Sequence, residues 1–183
     1  PFSLSGGFRG PDQLDDSKAL FDEKLEMWVA PFIMAPINTK NIHRSNALMG
    51  HAYGEDFCYD EMSITGSGDE GKARAEFMAT LNPLVGDDMP APGEGPSKES
   101  RENGNFNVLF CADMPNGETL NATVTGDMDP GYGSTSKMIA ESAVCLVKDC
   151  LELEGGIYTP APSMGKKLIT RLVANAGLTF TLD

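Results

Sequence analysis

An α+β fold, with an antiparallel or mixed sheet covered by helices, is what this sequence predicts. Three observations carry that prediction. Two strand-like runs, "NFNVLFCADM" and "ETLNATVTG", flank Pro115-Asn116-Gly117, the strongest short hairpin signal in the chain. Helix-period apolar patterns follow, in "GSTSKMIAESAVCLVKDCLE" and again after Ser163. Helices and strands do not alternate strictly, as they would around a doubly wound parallel sheet.

Taken in order, "PFSLSGGFRGPDQLDD" (1–16) is rich in Gly, Pro and Asp and reads as an irregular lead-in. From Ser17 the spacing of Leu20, Leu25, Trp28 and Val29 predicts a helix that Pro31 interrupts. A second helix is expected over about 33–48, beginning near Pro36, which a first turn tolerates, and stopped by Gly50. "GEDFCYDEMSIT" (54–65) alternates loosely and reads as a strand. A helix over about 70–82 follows, with Asp69 as its cap. Residues 86–104 lack any apolar period and read as a mobile loop or insertion. After the hairpin, Met138, Ile139, Ser142, Leu146, Val147 and Cys150 mark the best amphipathic helix. "IYT" (157–159) reads as a short strand and Ser163 as the cap of a last helix. Leu168, Ile169, Leu172, Val173 and Ala176 form that helix's apolar face, Gly177 closes it, and "LTFTL" is a terminal strand.

The chain has 183 residues, 40% of them hydrophobic, which suits one globular domain over 1–183. Its formal net charge of −13 disfavours a nucleic-acid backbone as partner. No apolar run approaches the ~20 residues of a membrane span, and no secretory signal is seen. The chain starts at Pro1, so it reads as processed or as a fragment. Cys58, Cys111, Cys145 and Cys150 include no C-x-x-C and read as buried free thiols of a reducing, cytoplasmic compartment. On one helix, Cys145 and Cys150 would lie about 140° apart and not face each other. Only His43 and His51 could join them at a metal, and no metal site is expected.

Gly66-Ser67-Gly68-Asp69-Glu70-Gly71 spells G-x-G-x-x-G, the dinucleotide-binding pattern. The context opposes that reading. The preceding run carries Asp56, Asp60 and Glu61, unlike a strand buried on both faces. Asp69 and Glu70 would stand beside a pyrophosphate, and no second strand follows the helix. A turn leading into a helix is the better reading, and no cofactor is expected on this chain.

Two blocks, "WVAPFIMAPINTKNIHRSNALMGHAYGEDFCYDEM" and "DPGYGSTSKMIAESAVCLVKD … GGIYTPAPSMGKKLITRLVANAGLTFTL", resemble the second half of the saccharopine-dehydrogenase-like oxidoreductases, the group that includes the trans-acting enoyl reductases. The resemblance spans roughly Trp28 to Leu182, with 86–104 matching poorly. It implies a parent about twice this length, whose first half is a Rossmann domain holding NAD(P). The second half supplies the substrate side and the subunit contacts. By this resemblance the chain is a C-terminal substrate and association domain that acts on a small molecule, forms a homodimer and is inactive alone. The family's cofactor-binding residues have no counterpart here. A non-catalytic dimerisation domain is the alternative.

The candidate site residues each have two readings. Arg44 can hold a carboxylate or phosphate through its planar fork, and Asn38 and Asn46 can bond a substrate. Against this stand an exposed helix face and one buried hydrogen bond to a loop. In "GDMDPGYGSTSK", Gly131 lets backbone approach a ligand closely, and Tyr132 with Lys137 matches a reductase pair in which lysine lowers a tyrosine's pKa. A structural loop with an aromatic plug is the other reading. Thr159 and Ser163 lie at a helix N-terminus that can bind an anion, with Lys166 and Lys167 nearby, or simply cap that helix.

Overall fold

Helices and two three-stranded antiparallel sheets make up the computed structural model, an α+β chain as the sequence predicts. Residues 1–81 and 93–182 are described. The chain divides into two units, Pro1–Met89 and Pro90–Asp183.

In the first unit, β1 (Leu20–Asp22) and β2 (Met27–Pro31) form a hairpin, where the sequence predicts a helix. The apolar residues fit a helical period, but the cross-strand pairs Leu20↔Val29 and Phe21↔Trp28 satisfy them equally. Glu26 makes the turn with φ of 52°. The Phe21 and Trp28 rings meet edge to face at 5.6 Å. β3 (Met62–Gly66) adds to β2, so the order is β1-β2-β3. Only these last residues of 54–65 form the expected strand. The register shifts beside Trp28, which pairs with Gly66 while Val29 pairs with Ile64. The bulge turns Thr65 inward, where its hydroxyl lies 2.9 Å from the carbonyls of both Trp28 and Gly71.

Helix α1 (Ala35–Leu48) carries Pro36 in its first turn, as expected, and Gly50 follows it with φ of 65°. Helix α2 (Gly68–Thr80) begins one residue before Asp69, so Asp69 is not its cap. Ser67 holds that position. Asp69 and Glu70 stand in the first turn, where carboxylates favour the helix dipole.

In the second unit, the short helix α3 (Lys98–Asn103) is capped by the Ser97 hydroxyl, which accepts from Ser100 N–H at 3.1 Å. It falls within the expected loop 86–104, of which 86–92 lie outside the described residues. β4 (Phe106–Asp113) and β5 (Thr119–Gly126) pair in full register across the predicted turn, with Gly117 at φ of 85°. β6 (Leu178–Leu182) completes the order β4-β5-β6. Helices α4 (Gly133–Lys148) and α5 (Pro160–Asn175) pack together, and α5 is interrupted at Gly165, whose φ of 47° and ψ of −129° are non-helical. Residues 157–159 form no strand, and Thr159 rather than Ser163 is the N-cap of α5.

The core of this unit joins Cys145, Cys150, Met164, Leu168, Leu172, Ala176 and Leu178. Cys145 and Cys150 do meet, because Cys150 lies beyond the end of α4 and a helical angle does not apply. Burial, then the hydrogen bond to Cys150, push the Cys145 thiol up. Cys58 and Cys111 are exposed, unlike the expectation, and none of the four cysteines forms a disulfide. No described helix is long and apolar enough to cross a membrane.

Candidate functional site

Thr39, His43, Ser45 and Asn46 of α1 are buried in the first unit, and Asn38 is half-buried. Asn38 donates from Nδ2 to Glu61 Oε2 at 2.9 Å, and the Tyr59 hydroxyl donates to Glu61 Oε1 at 2.6 Å. Burial, then Glu61, hold the Tyr59 phenol well above its ordinary range, so it stays protonated at physiological pH. Burial and the neighbouring Asp16 and Asp22 raise the adjacent Asp60 carboxyl. Tyr59 and Glu61 were not singled out from sequence, since no local spacing joins them to Asn38.

Asn46 is buried and serves one loop: its amide donates to the Gly54 carbonyl at 2.8 Å and accepts from Tyr53 N–H at 2.9 Å. Arg44 donates from Nη1 to the Leu4 carbonyl at 2.9 Å. Both therefore hold backbone segments against α1.

His43 is 3% exposed and stacks at 4.5 Å on Phe2 and 5.6 Å from Phe57. Its Nε2 lies 2.9 Å from Gln13 Oε1, which also accepts from Tyr59 N–H at 3.0 Å. Burial lowers its pKa. A depressed histidine pKa favours folding above the ordinary value of 6.5, and that contribution is lost as pH falls through the folded pKa. The single tryptophan, Trp28, reports on this unit. Urea midpoints read by its fluorescence are expected to fall as pH drops below 6.5, and His43→Gln is expected to remove that part of the slope.

An apolar groove of about 480 Å³ runs beside the start of α1, lined by Pro31, Phe32, Ile33, Pro36, Met78 and Leu81. Asp16, Ser17 and Ser63 supply polar groups along it. None of the sequence-predicted site residues lines it.

In the second unit, the D-P-G-Y-G segment is built around Asp129. Its carboxylate accepts from the N–H groups of Gly131 and Tyr132 at 3.0 Å and of Gly133 at 2.6 Å. Desolvation acts to raise its pKa, but these three donors and the Arg101 charge outweigh it and hold the group below the ordinary 3.8. The glycines serve this contact: a Cβ on Gly133 would stand 2.8 Å from Asp129 Oδ2, and one on Gly131 3.3 Å from Oδ1. The α4 N-terminus thus already holds an anion from its own chain.

Tyr132 is 54% exposed, and its ring faces Gly95. Lys137 Nζ sits 3.3 Å from Asp127 Oδ1, an ion pair that holds its ammonium at Asp127. Thr159 is buried at the start of α5. Ser163 donates its hydroxyl to the carbonyls of Thr159 and Pro160, at 2.9 and 3.3 Å. Lys167 bonds Glu152 and the Asp149 carbonyl, while Arg171 bridges Glu141 at 2.7 Å and Asp149 at 3.0 Å.

The residues around GSGDEG do not fit a dinucleotide. β3 belongs to an antiparallel sheet, and the close approach that Gly71 permits is to Gly66 of the same loop. Among the described residues no group of three or more His, Cys, Asp or Glu could hold a metal.

No protein-family model and no solved structure matches the chain. Curated relatives do. A Mycobacterium tuberculosis protein named a trans-acting enoyl reductase is 37% identical over 181 residues, which cover 89% of this chain and 43% of that protein. Trans-acting enoyl reductases of Mycobacterium ulcerans and Mycobacterium bovis are 32% and 33% identical over 171 residues, covering 84% of this chain and 41% of theirs. The chain spans about two-fifths of the length of the curated relatives it matches. Across most of its own length, it is similar to the trans-acting enoyl reductases.

Proposed function

We propose that this chain is the substrate-side portion of an NAD(P)-dependent, saccharopine-dehydrogenase-like oxidoreductase of the trans-acting enoyl reductase kind, and that it is inactive alone. The similarity at 37% identity over 89% of the chain carries the reading. The misfit of GSGDEG to a dinucleotide supports placing the cofactor on the remainder of a longer parent. Enoyl reduction consumes a hydride and a proton; the hydride belongs to the nicotinamide, and this chain's residues orient the substrate and exclude water.

Within this reading Tyr132, exposed at the start of α4, stands beside the substrate and supplies the proton from its hydroxyl. Lys137, paired with Asp127, is the proposed partner of Tyr132 on that helix turn. Gly131, Thr159 and Ser163 are the other substrate-side groups of the second unit, and Asn38 is a separate candidate binding group of the first unit. Arg44 and Asn46 position the loops they already bind. Taken by itself, the groove of the first unit beside Phe32 and Ile33 suits a small apolar ligand. Four cysteines that form no disulfide support a cytoplasmic setting. Subunit contacts also fall to this chain, and a homodimer is part of the proposal.

The test is a titration of NADPH and NADH into this chain and into an intact parent, followed by nicotinamide fluorescence and calorimetry. The chain alone is expected to bind neither. The parent is expected to bind one of them and to reduce an enoyl thioester, with Tyr132→Phe lowering kcat about 10²–10⁴-fold. Saturable binding by the chain alone overturns the reading. So does a parent that reduces no enone, imine or keto substrate.

A further inference from the structure

The β4-β5-β6 sheet has two chemically distinct faces. The register aligns Phe106↔Gly126↔Leu178, Val108↔Val124↔Phe180 and Phe110↔Ala122↔Leu182, with Ala112↔Leu120 beyond. Because side chains alternate, these eleven residues share one face, and every one is apolar or glycine. The opposite face is mostly Thr and Asn, including Asn107, Asn121, Thr123 and Thr181.

The helices cover the apolar face at one end only. Phe106, Val124 and Leu178 pack with the core of α4 and α5. Val108, Phe110, Leu120, Phe180 and Leu182 remain between 37% and 70% exposed. A contiguous patch of this kind marks an interaction surface.

We infer that the exposed end of this face packs against the same face of a second copy of the chain, as a two-sheet sandwich across a twofold axis. Three features select that occupant. First, no charged side chain lies on the face, so two copies can meet there without placing like charges opposite one another. Second, the row Phe110–Ala122–Leu182 places a bulky knob beside a small hollow on one face. A twofold can seat each copy's Phe110 over the other's Ala122, which is the self-complementarity an isologous interface requires. Third, five large side chains this exposed present on the order of 500 Å² per copy. Two faces together bury about 1,000 Å², the lower bound of a specific interface. The inference deepens the subunit-contact part of the proposed function by naming its surface, and it does not depend on hydride transfer.

Sedimentation of the full 183-residue chain tests it, over about 1–100 μM. A dimer is expected. Phe110→Glu and Leu182→Asp should each weaken it at least tenfold. Leu109→Glu, at a 40% exposed neighbour on the opposite face, should leave it intact. Leu182 is 70% exposed near the chain end, so its variant keeps the fold, which far-UV circular dichroism verifies. A chain that stays monomeric at the highest concentration overturns the proposal. So does a dimer that both face variants leave unchanged, or one that Leu109→Glu disrupts equally. Each of these results is independent of whether a parent reduces an enoyl substrate.

Discussion

Gly71→Ala is expected to destabilise the first unit by at least about 3 kcal/mol, a loss of more than ~10 °C in its melting midpoint. A Cβ at position 71 would stand 2.2 Å from the Gly66 carbonyl oxygen and 2.4 Å from its carbon. Both obstacles are backbone, so no rotamer can relieve the clash. Either α2 lifts from β3, which breaks the contact between the Thr65 hydroxyl and the Gly71 carbonyl, or the strand end distorts. Gly68 is the internal control. Its φ of 64° strains an alanine, but nothing lies within 4 Å of the new Cβ, so Gly68→Ala should cost only about 1 kcal/mol. Trp28 fluorescence follows both transitions, because Trp28 pairs with Gly66 across the sheet. Equal midpoints for the two variants would show that backbone conformation, rather than close packing, explains the glycines of GSGDEG.

Asp129→Ala should lower the melting midpoint of the second unit by about 5–10 °C and fray the first turn of α4. The substitution leaves three N–H donors, those of Gly131, Tyr132 and Gly133, without their carboxylate. Asp129→Asn keeps one acceptor oxygen and should lose less. Because the folded carboxyl pKa is depressed, its contribution is complete above the ordinary value near 3.8 and is lost as pH falls through the folded pKa. Wild type and Asp129→Ala should therefore converge in stability at the acid end. Amide exchange in α4 provides a local readout: faster exchange is expected at Gly131–Gly133. Unchanged exchange there would mean that another group satisfies those donors. The prediction also bears on function, since Tyr132 sits inside this turn and moves with it.

Several elements were legible in the sequence because their chemistry is local. The β4-β5 hairpin follows from Pro115-Asn116-Gly117, where Gly117 adopts the positive φ that the turn requires. Helices α1, α4 and α5 follow from apolar spacing, an early proline in α1 and closing glycines at 50 and 177. The segment 17–31 was misread for a physical reason. Leu20, Leu25, Trp28 and Val29 fit both periods over so short a run, and the choice of strand is made by β3, about 30 residues later in the chain.

The candidate site divides in the same way. Residue types marked α1 and the D-P-G-Y-G turn as polar concentrations inside apolar surroundings. Types could not say which partners were already taken. Asn46 is satisfied by Gly54 and Tyr53, Lys137 by Asp127, and the α4 N-terminus by Asp129, all through the folded arrangement. The groove beside Phe32 and the Tyr59–Glu61–Asn38 cluster join segments distant in sequence and left no local signal.

By itself the sequence determined the α+β class, the hairpin and the helical periods of α1, α4 and α5, because each rests on local propensity within a few residues. Only the tertiary structure decided the fate of 17–31, the partners of the polar side chains and the uncovered half of the β4-β5-β6 face. Those depend on which distant segments come to lie within hydrogen-bond or van der Waals reach, and that is set by packing the whole unit at once.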